Sequence, residues 1–286
     1  MSAAATPVIG TTSYGFRYQL LDARLAPSLH AIVEQTRTAG LDALQICENA
    51  RPLDVAPAAW QQVVRAAGDQ GIALALGCMT LDLEVLARYL ERAAVIPGAS
   101  TLRLVLEDDS GRGPARPAIE HFLERAATLA IEAGMTLVLE NHFHIPCHVL
   151  ADVGSAYSED VIAFCVDSAN SLRSWESSAE VFRTLGSRAA FYHLKDYRVQ
   201  GSNVGFAVTG APLGEGDLDL EATLDAIHRR HRSPVIYLEN WVPSTGDRQA
   251  DAAADADWLG RSRRALEQAW RRRWASAHAT VPGSIV

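Results

Sequence analysis

Four residues that can bind a metal ion lie at the ends of apolar runs between the middle of the sequence and residue 239. They are Glu140 after "MTLVL", Asp167 after "VIAFCV", His193 in "AAFYHL" and Glu239 after "PVIYL". Three carboxylates and one imidazole suit a single divalent cation that keeps open positions for a substrate. Three carboxylates that converge without a cation would repel one another, and their pKa values would rise. The residue types therefore indicate a mononuclear metal centre, if the fold brings them together.

The elements that must position these residues follow from the hydrophobic pattern. Short apolar runs alternate with segments of helical periodicity, and eight runs predict strands at residues 7–13, 42–47, 72–77, 101–106, 135–140, 161–167, 189–194 and 234–239. Runs that are apolar almost throughout are typical of parallel strands that are buried on both faces. Eight such units favour a closed (β/α)₈ TIM barrel over the alternative, an open doubly wound sheet.

Composition indicates one globular domain. The chain has 286 residues, 48% of them hydrophobic, with no linker-like stretch, so we expect a single domain over residues 1–286 with a short C-terminal tail from about 277. A net charge of -8 disfavours nucleic acid as a partner. No run reaches the roughly 18 apolar residues of a membrane helix, and no signal peptide is evident, so we expect a cytoplasmic protein. The four cysteines are far apart, which predicts buried thiols rather than disulfides or structural zinc.

In a TIM barrel, the active site lies at the carboxyl ends of the strands, so residues near those ends are candidates for contacts with substrate. These candidates are Tyr14, Arg103, His142, Asn170, Lys195, Arg198 and Trp241. Arg103 lies within a predicted strand and must point into the site or be paired. For Lys195, an ion pair with Asp196 or Glu215 is the competing interpretation. Residues 197–216 predict a hairpin that closes near residues 201–203, and a loop of this length suggests a lid.

The motifs "LENH", "VDSAN", "HLKD", "LGEGDLD" and "YLEN" resemble the sugar phosphate isomerase/epimerase family of xylose isomerase-like TIM barrels. The resemblance extends from about residue 7 to about residue 275, and its specific motifs lie in the C-terminal half. It implies that Glu140, Asp167, His193 and Glu239 hold one divalent ion, with manganese expected first and magnesium or cobalt as alternatives. It also implies that Glu140 and Glu239 serve as acid and base.

The resemblance implies a metal-dependent isomerase or epimerase that acts on a sugar, sugar acid or sugar phosphate. Proton transfer between Glu140 and Glu239 would pass through a cis-enediolate. A lyase, such as a dehydratase, decarboxylase or deglycosidase, is the alternative, and non-catalytic sugar binding is a further one. Ketose 3-epimerases of this family usually have a histidine where this chain has Asn170. The resemblance also implies that the protein can form a homo-oligomer, with subunits that pair through their outer helices.

A DNA repair endonuclease with three zinc ions belongs to the same superfamily, but the sequence disfavours this function. Such an enzyme needs further histidines at the ends of the second, third and sixth strands. This chain has Cys47 or Glu48, Cys78 and Asn170 at those places. The net charge of -8 also opposes binding to a phosphate backbone.

Overall fold

The computed structural model describes residues 6–22, 27–107 and 113–275. Eight parallel strands form a closed barrel, in which the last strand along the chain pairs with both the seventh and the first. The barrel strands are β1 Val8–Thr12, β2 Ala43–Ile46, β3 Ala73–Met79, β4 Thr101–Val105, β5 Thr136–Glu140, β6 Ile162–Asp167, β7 Ala189–Leu194 and β10 Val235–Leu238. This architecture confirms the predicted (β/α)₈ TIM barrel. The predicted tail from about residue 277 lies outside the described residues.

Helices follow the barrel strands and cover the outside of the barrel. They are α1 Arg17–Leu21, α2 Leu29–Thr38, α3 Pro57–Asp69, α4 Leu83–Ala94, α5 Arg116–Glu132, α6 Cys147–Ser155, α7 Ser178–Leu185, α8 Leu220–Arg230 and α9 Arg248–Trp270. Local sequence sets several of their starts. The side chains of Ser28, Asp82 and Asp219 accept hydrogen bonds from backbone N–H groups in the first turns of α2, α4 and α8.

The strands are buried on both faces, which explains their almost uniform apolar sequence. The main core lies between the barrel and its helices, and a second cluster lies inside the barrel. This inner cluster consists of Ala43, Val138, Ala163, Cys165, Phe191 and Tyr237. Gly10 is required where β1 approaches β2, because a Cβ at this position would lie 2.5 Å from the carbonyl oxygen of Ala43.

The cysteines agree with the prediction made from their spacing. Cys47, Cys78, Cys147 and Cys165 are all free and buried. Among the residues that the structure describes, no helix combines the length and the apolar character needed to cross a bilayer.

The predicted hairpin after β7 is also present. Strand β8, Asp196–Ser202, pairs antiparallel with β9, Gly205–Ala211, and the turn lies at residues 203–204. The base of the hairpin is held by the buried carboxylate of Asp196, which accepts hydrogen bonds from the backbone N–H groups of Gly214, Gly216 and Leu218. Asp196 therefore fixes the path of the chain after the seventh barrel strand.

Candidate metal centre and active site

The four candidate ligands meet at the carboxyl end of the barrel. Glu140 and Asp167 end β5 and β6, His193 lies one residue from the end of β7, and Glu239 follows β10 directly. All four are at most 5% exposed. Asp167, His193 and Glu239 each present a donor atom within 4.8 Å of the other two. The Oε2 atom of Glu140 lies 3.4 Å from Nδ1 of His193.

Two buried atoms of this cluster lack a hydrogen-bond partner among the described residues: Asp167 Oδ2 and His193 Nδ1. Lys195 Nζ is 3.0 Å from Asp167 Oδ2, but this contact is an ion pair without hydrogen-bond geometry. Leaving buried polar atoms unpaired costs free energy, and a cation would satisfy both of them. An oxygen-rich set with one imidazole fits a hard divalent ion such as Mg²⁺ or Mn²⁺.

Cys165 also lies close to Glu140 and His193. Burial raises the pKa of its thiol well above the ordinary value, and the nearby Glu140 raises it further. A neutral thiol is a poor metal ligand. We therefore assign Cys165 to the core inside the barrel.

Gln45 on β2 orients the imidazole of His193. Its Oε1 atom lies 3.1 Å from Nε2 of His193 and can only accept a hydrogen bond. The proton of a neutral imidazole therefore resides on Nε2, and the lone pair of Nδ1 points towards the carboxylates. This is the tautomer that a metal ligand requires.

Two buried cations lie among the carboxylates. Lys195 Nζ is 2.8 Å from Glu239 Oε2, and Arg103 Nε contacts Glu140 Oε2. Burial opposes ionisation of both glutamates, but Lys195 holds the pKa of Glu239 at about 2, and Arg103 holds that of Glu140 well below its ordinary value. Both glutamates are therefore anionic at neutral pH.

The pKa of Asp167 shifts in the opposite direction from those of the two glutamates. Burial raises its pKa, and the nearby Glu140 and Glu239 raise it further, against the effect of Lys195. Its Oδ1 atom accepts hydrogen bonds of 2.8 Å from the backbone N–H groups of Ala169 and Asn170. These bonds fix one oxygen of Asp167 and leave Oδ2 directed towards the cluster.

A cavity of about 420 Å³ opens onto this cluster. Six of the seven predicted substrate-binding residues line it: Tyr14, Arg103, His142, Asn170, Lys195 and Trp241. Asn170 donates a hydrogen bond of 2.8 Å to Glu140 Oε1 and accepts one of 3.0 Å from Lys195. The seventh, Arg198, is exposed on the hairpin and donates to the carbonyl oxygen of Glu215, so the structure does not bring it to the cavity.

Two acidic residues of the site were not among the predicted candidates. Glu107 lies just beyond β4, and its Oε1 atom is 2.9 Å from Nδ1 of His142 and 3.0 Å from Nδ1 of His144. Glu48 faces Arg103 at 3.4 Å and accepts a hydrogen bond from the Tyr14 hydroxyl. The strand-end rule that identified the ligands would also have identified Glu48 and Glu107, since each follows a barrel strand within two residues.

Residues 33–262 match the family model of the xylose isomerase-like TIM barrel. The match covers most of the chain. The chain belongs to the xylose isomerase-like TIM barrel family. The resemblance drawn from the strand-end motifs is thereby confirmed.

Individual proteins of known activity or structure are similar to the chain over most of its length. A 3-oxo-isoapionate decarboxylase of Pectobacterium atrosepticum is 26% identical over 257 residues, which cover 89% of this chain and 93% of that protein. A xylose isomerase-like TIM barrel protein of Mycobacterium smegmatis, solved in complex with magnesium, has a TM-score of 0.67 at 14% identity, with 94% and 100% of the two chains covered. D-psicose 3-epimerase of Clostridium cellulolyticum H10, solved with D-tagatose, has a TM-score of 0.66 at 15% identity, with 91% and 99% covered.

Proposed function

We propose that this protein is a divalent-metal-dependent lyase that decarboxylates a keto-sugar acid through an enediolate. The observation that carries the proposal is the cation beside each glutamate: Arg103 contacts Glu140, and Lys195 lies 2.8 Å from Glu239. The similarity to a decarboxylase over 89% of the chain supports the same class.

Epimerisation by two glutamates needs one of them to take a proton and the other to donate one. Lys195 beside Glu239 and Arg103 beside Glu140 lower the pKa values of both carboxyl groups, so both cations oppose protonation of either glutamate. Decarboxylation places no such demand, because the enediolate forms when carbon dioxide leaves rather than when a C–H proton is removed. The paired glutamates therefore suit a lyase better than a two-base isomerase.

The proposed step balances without an oxidant or a reductant. The bond between the carboxylate carbon and its neighbour breaks, its electron pair moves towards the adjacent oxo group, and carbon dioxide departs. The resulting carbon then takes one proton. His142 lines the cavity and places Nδ1 2.9 Å from Glu107. We assign its imidazolium form as the proton donor, which would give up the proton on Nε2 and keep the proton on Nδ1.

The ammonium group of Lys195 stabilises negative charge on the substrate oxygens. It is buried, lines the cavity and lies over the ring of Trp241 at 5.4 Å. Burial opposes its charge, but Asp167 and Glu239 raise its pKa, so it stays cationic. A divalent ion held by Glu140, Asp167, His193 and Glu239 would add Lewis-acid stabilisation of the same charge. Both effects lower the free energy of the enediolate.

An isomerase or epimerase of sugars is the second candidate. Glu140 Oε2 and Glu239 Oε1 lie 3.4 Å and 3.5 Å from the same atom, Nδ1 of His193. Both carboxylates therefore lie close to the proposed metal position. A two-base mechanism needs two carboxylates that can both reach a substrate bound there. A carbohydrate substrate is common to both candidates.

The deciding experiment incubates the manganese-loaded protein in heavy water with 3-oxo sugar acids and, separately, with neutral ketoses. Carbon dioxide is measured with a coupled assay, and deuterium incorporation by NMR. We expect carbon dioxide release with one deuterium at the carbon that carried the carboxylate. Deuterium exchange in a neutral ketose, accompanied by a new isomer and without carbon dioxide, would instead establish the isomerase.

A further inference from the structure

Three cations line the cavity: Arg17, Arg103 and Lys195. Arg103 is committed to Glu140 and Glu48, and Lys195 to Asp167 and Glu239. Arg17 has no ion pair with any residue in the described part of the chain. It is also exposed, whereas the other two are buried. Among the described residues, Arg17 is therefore the cation of this cavity that is not already paired with a protein carboxylate.

Asp255 interacts electrostatically with Arg17 but competes only weakly for its guanidinium group. Asp255 feels the charge of Arg17 but lies outside ion-pair distance, and its Oδ2 atom accepts a hydrogen bond of 3.0 Å from the backbone N–H of Tyr18. Burial raises the pKa of Asp255 to about 7. Its carboxyl group is therefore only partly ionised at neutral pH and competes poorly for the guanidinium group.

The same cavity is also lined by a buried hydrogen-bond donor that has no acceptor among the described residues. Asn240 lines it and is only 9% exposed. Its Oδ1 atom accepts a hydrogen bond of 3.0 Å from the Ser262 hydroxyl, which itself accepts one from the backbone N–H of Leu213. Its Nδ2 atom has no acceptor among residues 6–22, 27–107 and 113–275. A buried donor without an acceptor is costly, and a bound ligand can supply the acceptor.

We infer that Arg17 and Asn240 form a subsite that selects substrates with a carboxylate group. Arginine can bind both oxygens of a carboxylate through two parallel hydrogen bonds, and an amide N–H₂ group adds a further donor. The identification of this carboxylate as that of the substrate rests on the proposed function. The subsite explains how the cavity would distinguish a sugar acid from a neutral sugar of similar length.

The test measures binding rather than turnover. Its two probes are D-gluconate, which has a carboxylate group, and D-sorbitol, which has a neutral hydroxymethyl group in its place. Calorimetry on the metal-loaded protein gives both dissociation constants for the native chain, Arg17→Met, Arg17→Lys and Asn240→Leu. Arg65→Met is the matched control, because Arg65 is an exposed residue on α3 outside the cavity. Metal content and melting temperature are measured for each variant, so that misfolding is recognised.

We expect the native chain to prefer gluconate, and Arg17→Met to weaken gluconate binding about tenfold or more with sorbitol unchanged. Arg17→Lys should bind gluconate more tightly than Arg17→Met but less tightly than the native chain. Lysine keeps the positive charge but cannot form two parallel hydrogen bonds with a carboxylate. Asn240→Leu should weaken gluconate binding less than Arg17→Met. Equal affinity for gluconate in the native chain and Arg17→Met would overturn the subsite. A preference for gluconate that depends on Arg17, without decarboxylation of any 3-oxo acid, would support the subsite and reject the proposed reaction.

Discussion

The ammonium nitrogen of Lys195 lies 2.8 Å from Oε2 of Glu239, a carboxylate that we propose as a metal ligand. It also lies 3.0 Å from Oδ2 of Asp167, a second proposed ligand. A bound divalent ion and Lys195 would therefore share the same two carboxylates. Positive charges at such short range repel each other strongly in a buried site.

This relationship predicts that Lys195→Met binds metal more tightly and turns over more slowly. Removing the ammonium group removes repulsion on the incoming ion, and we expect about a tenfold lower dissociation constant, or ~1.4 kcal/mol. Mn²⁺ titration followed by electron paramagnetic resonance measures the affinity. Weaker metal binding in this variant would instead mean that Lys195 holds the carboxylates in position for the ion.

Glu239→Gln should separate metal binding from folding. The neutral amide removes one anionic ligand, so we expect at least a tenfold weaker affinity for Mn²⁺ and loss of activity. The amide oxygen can still accept the 2.6 Å hydrogen bond from the Thr12 hydroxyl, so the fold should persist. Calorimetric titration and a melting curve test this, and native metal affinity in the variant would exclude Glu239 as a ligand.

Gln45 should influence the affinity for the metal ion, although it is not among the proposed ligands. Gln45→Leu removes the acceptor for Nε2 of His193 and releases the imidazole tautomer, so we expect about 10- to 100-fold weaker metal binding. Gln45→Glu keeps an acceptor and serves as the matched variant, with binding closer to native. The result that contradicts this role is an unchanged metal affinity in Gln45→Leu.

Arg103→Met should destabilise the metal-free protein more than the metal-loaded one. The substitution leaves the carboxylate of Glu140, which is 2% exposed, without its main counter-ion, at a cost of about 3–5 kcal/mol. A divalent ion bound by Glu140 would offset part of that cost. Urea unfolding with and without Mn²⁺ measures the difference, and an equal loss in both conditions would argue against Glu140 as a ligand.

The raised pKa of Asp255 predicts that the free energy of unfolding depends on pH. Burial and the nearby Asp251 raise its pKa to about 7, against the effect of Arg17, from an ordinary value of 3.8. The folded state therefore retains a proton that the unfolded state releases, and stability falls as the pH rises from about 4 to 7. Asp255→Asn keeps an acceptor for Tyr18 N–H and should stabilise the protein by about 1–2 kcal/mol at pH 8, with little effect near pH 4. Urea unfolding across this range tests the trend, and a constant difference would refute it.

Local sequence was sufficient to locate the eight barrel strands. Each of the eight predicted strands contains or overlaps its observed strand within about two residues at either end. The reason is that burial on both faces demands apolar residues throughout a strand, and this demand is visible without knowledge of neighbouring elements. The candidate ligands Glu140, Asp167 and Glu239 were identifiable for the same reason, because a carboxylate directly after such a run is conspicuous.

Only the tertiary structure decided which charges meet. The competing interpretation for Lys195 was an ion pair with Asp196 or Glu215, but its ammonium group lies beside Asp167 and Glu239. Gln45 reaches His193 across 148 positions of sequence, and Arg17 and Asn240 share a cavity from opposite ends of the chain. Barrel closure places the first strand beside the last, so these contacts depend on strand order and register, which short sequence patterns do not encode.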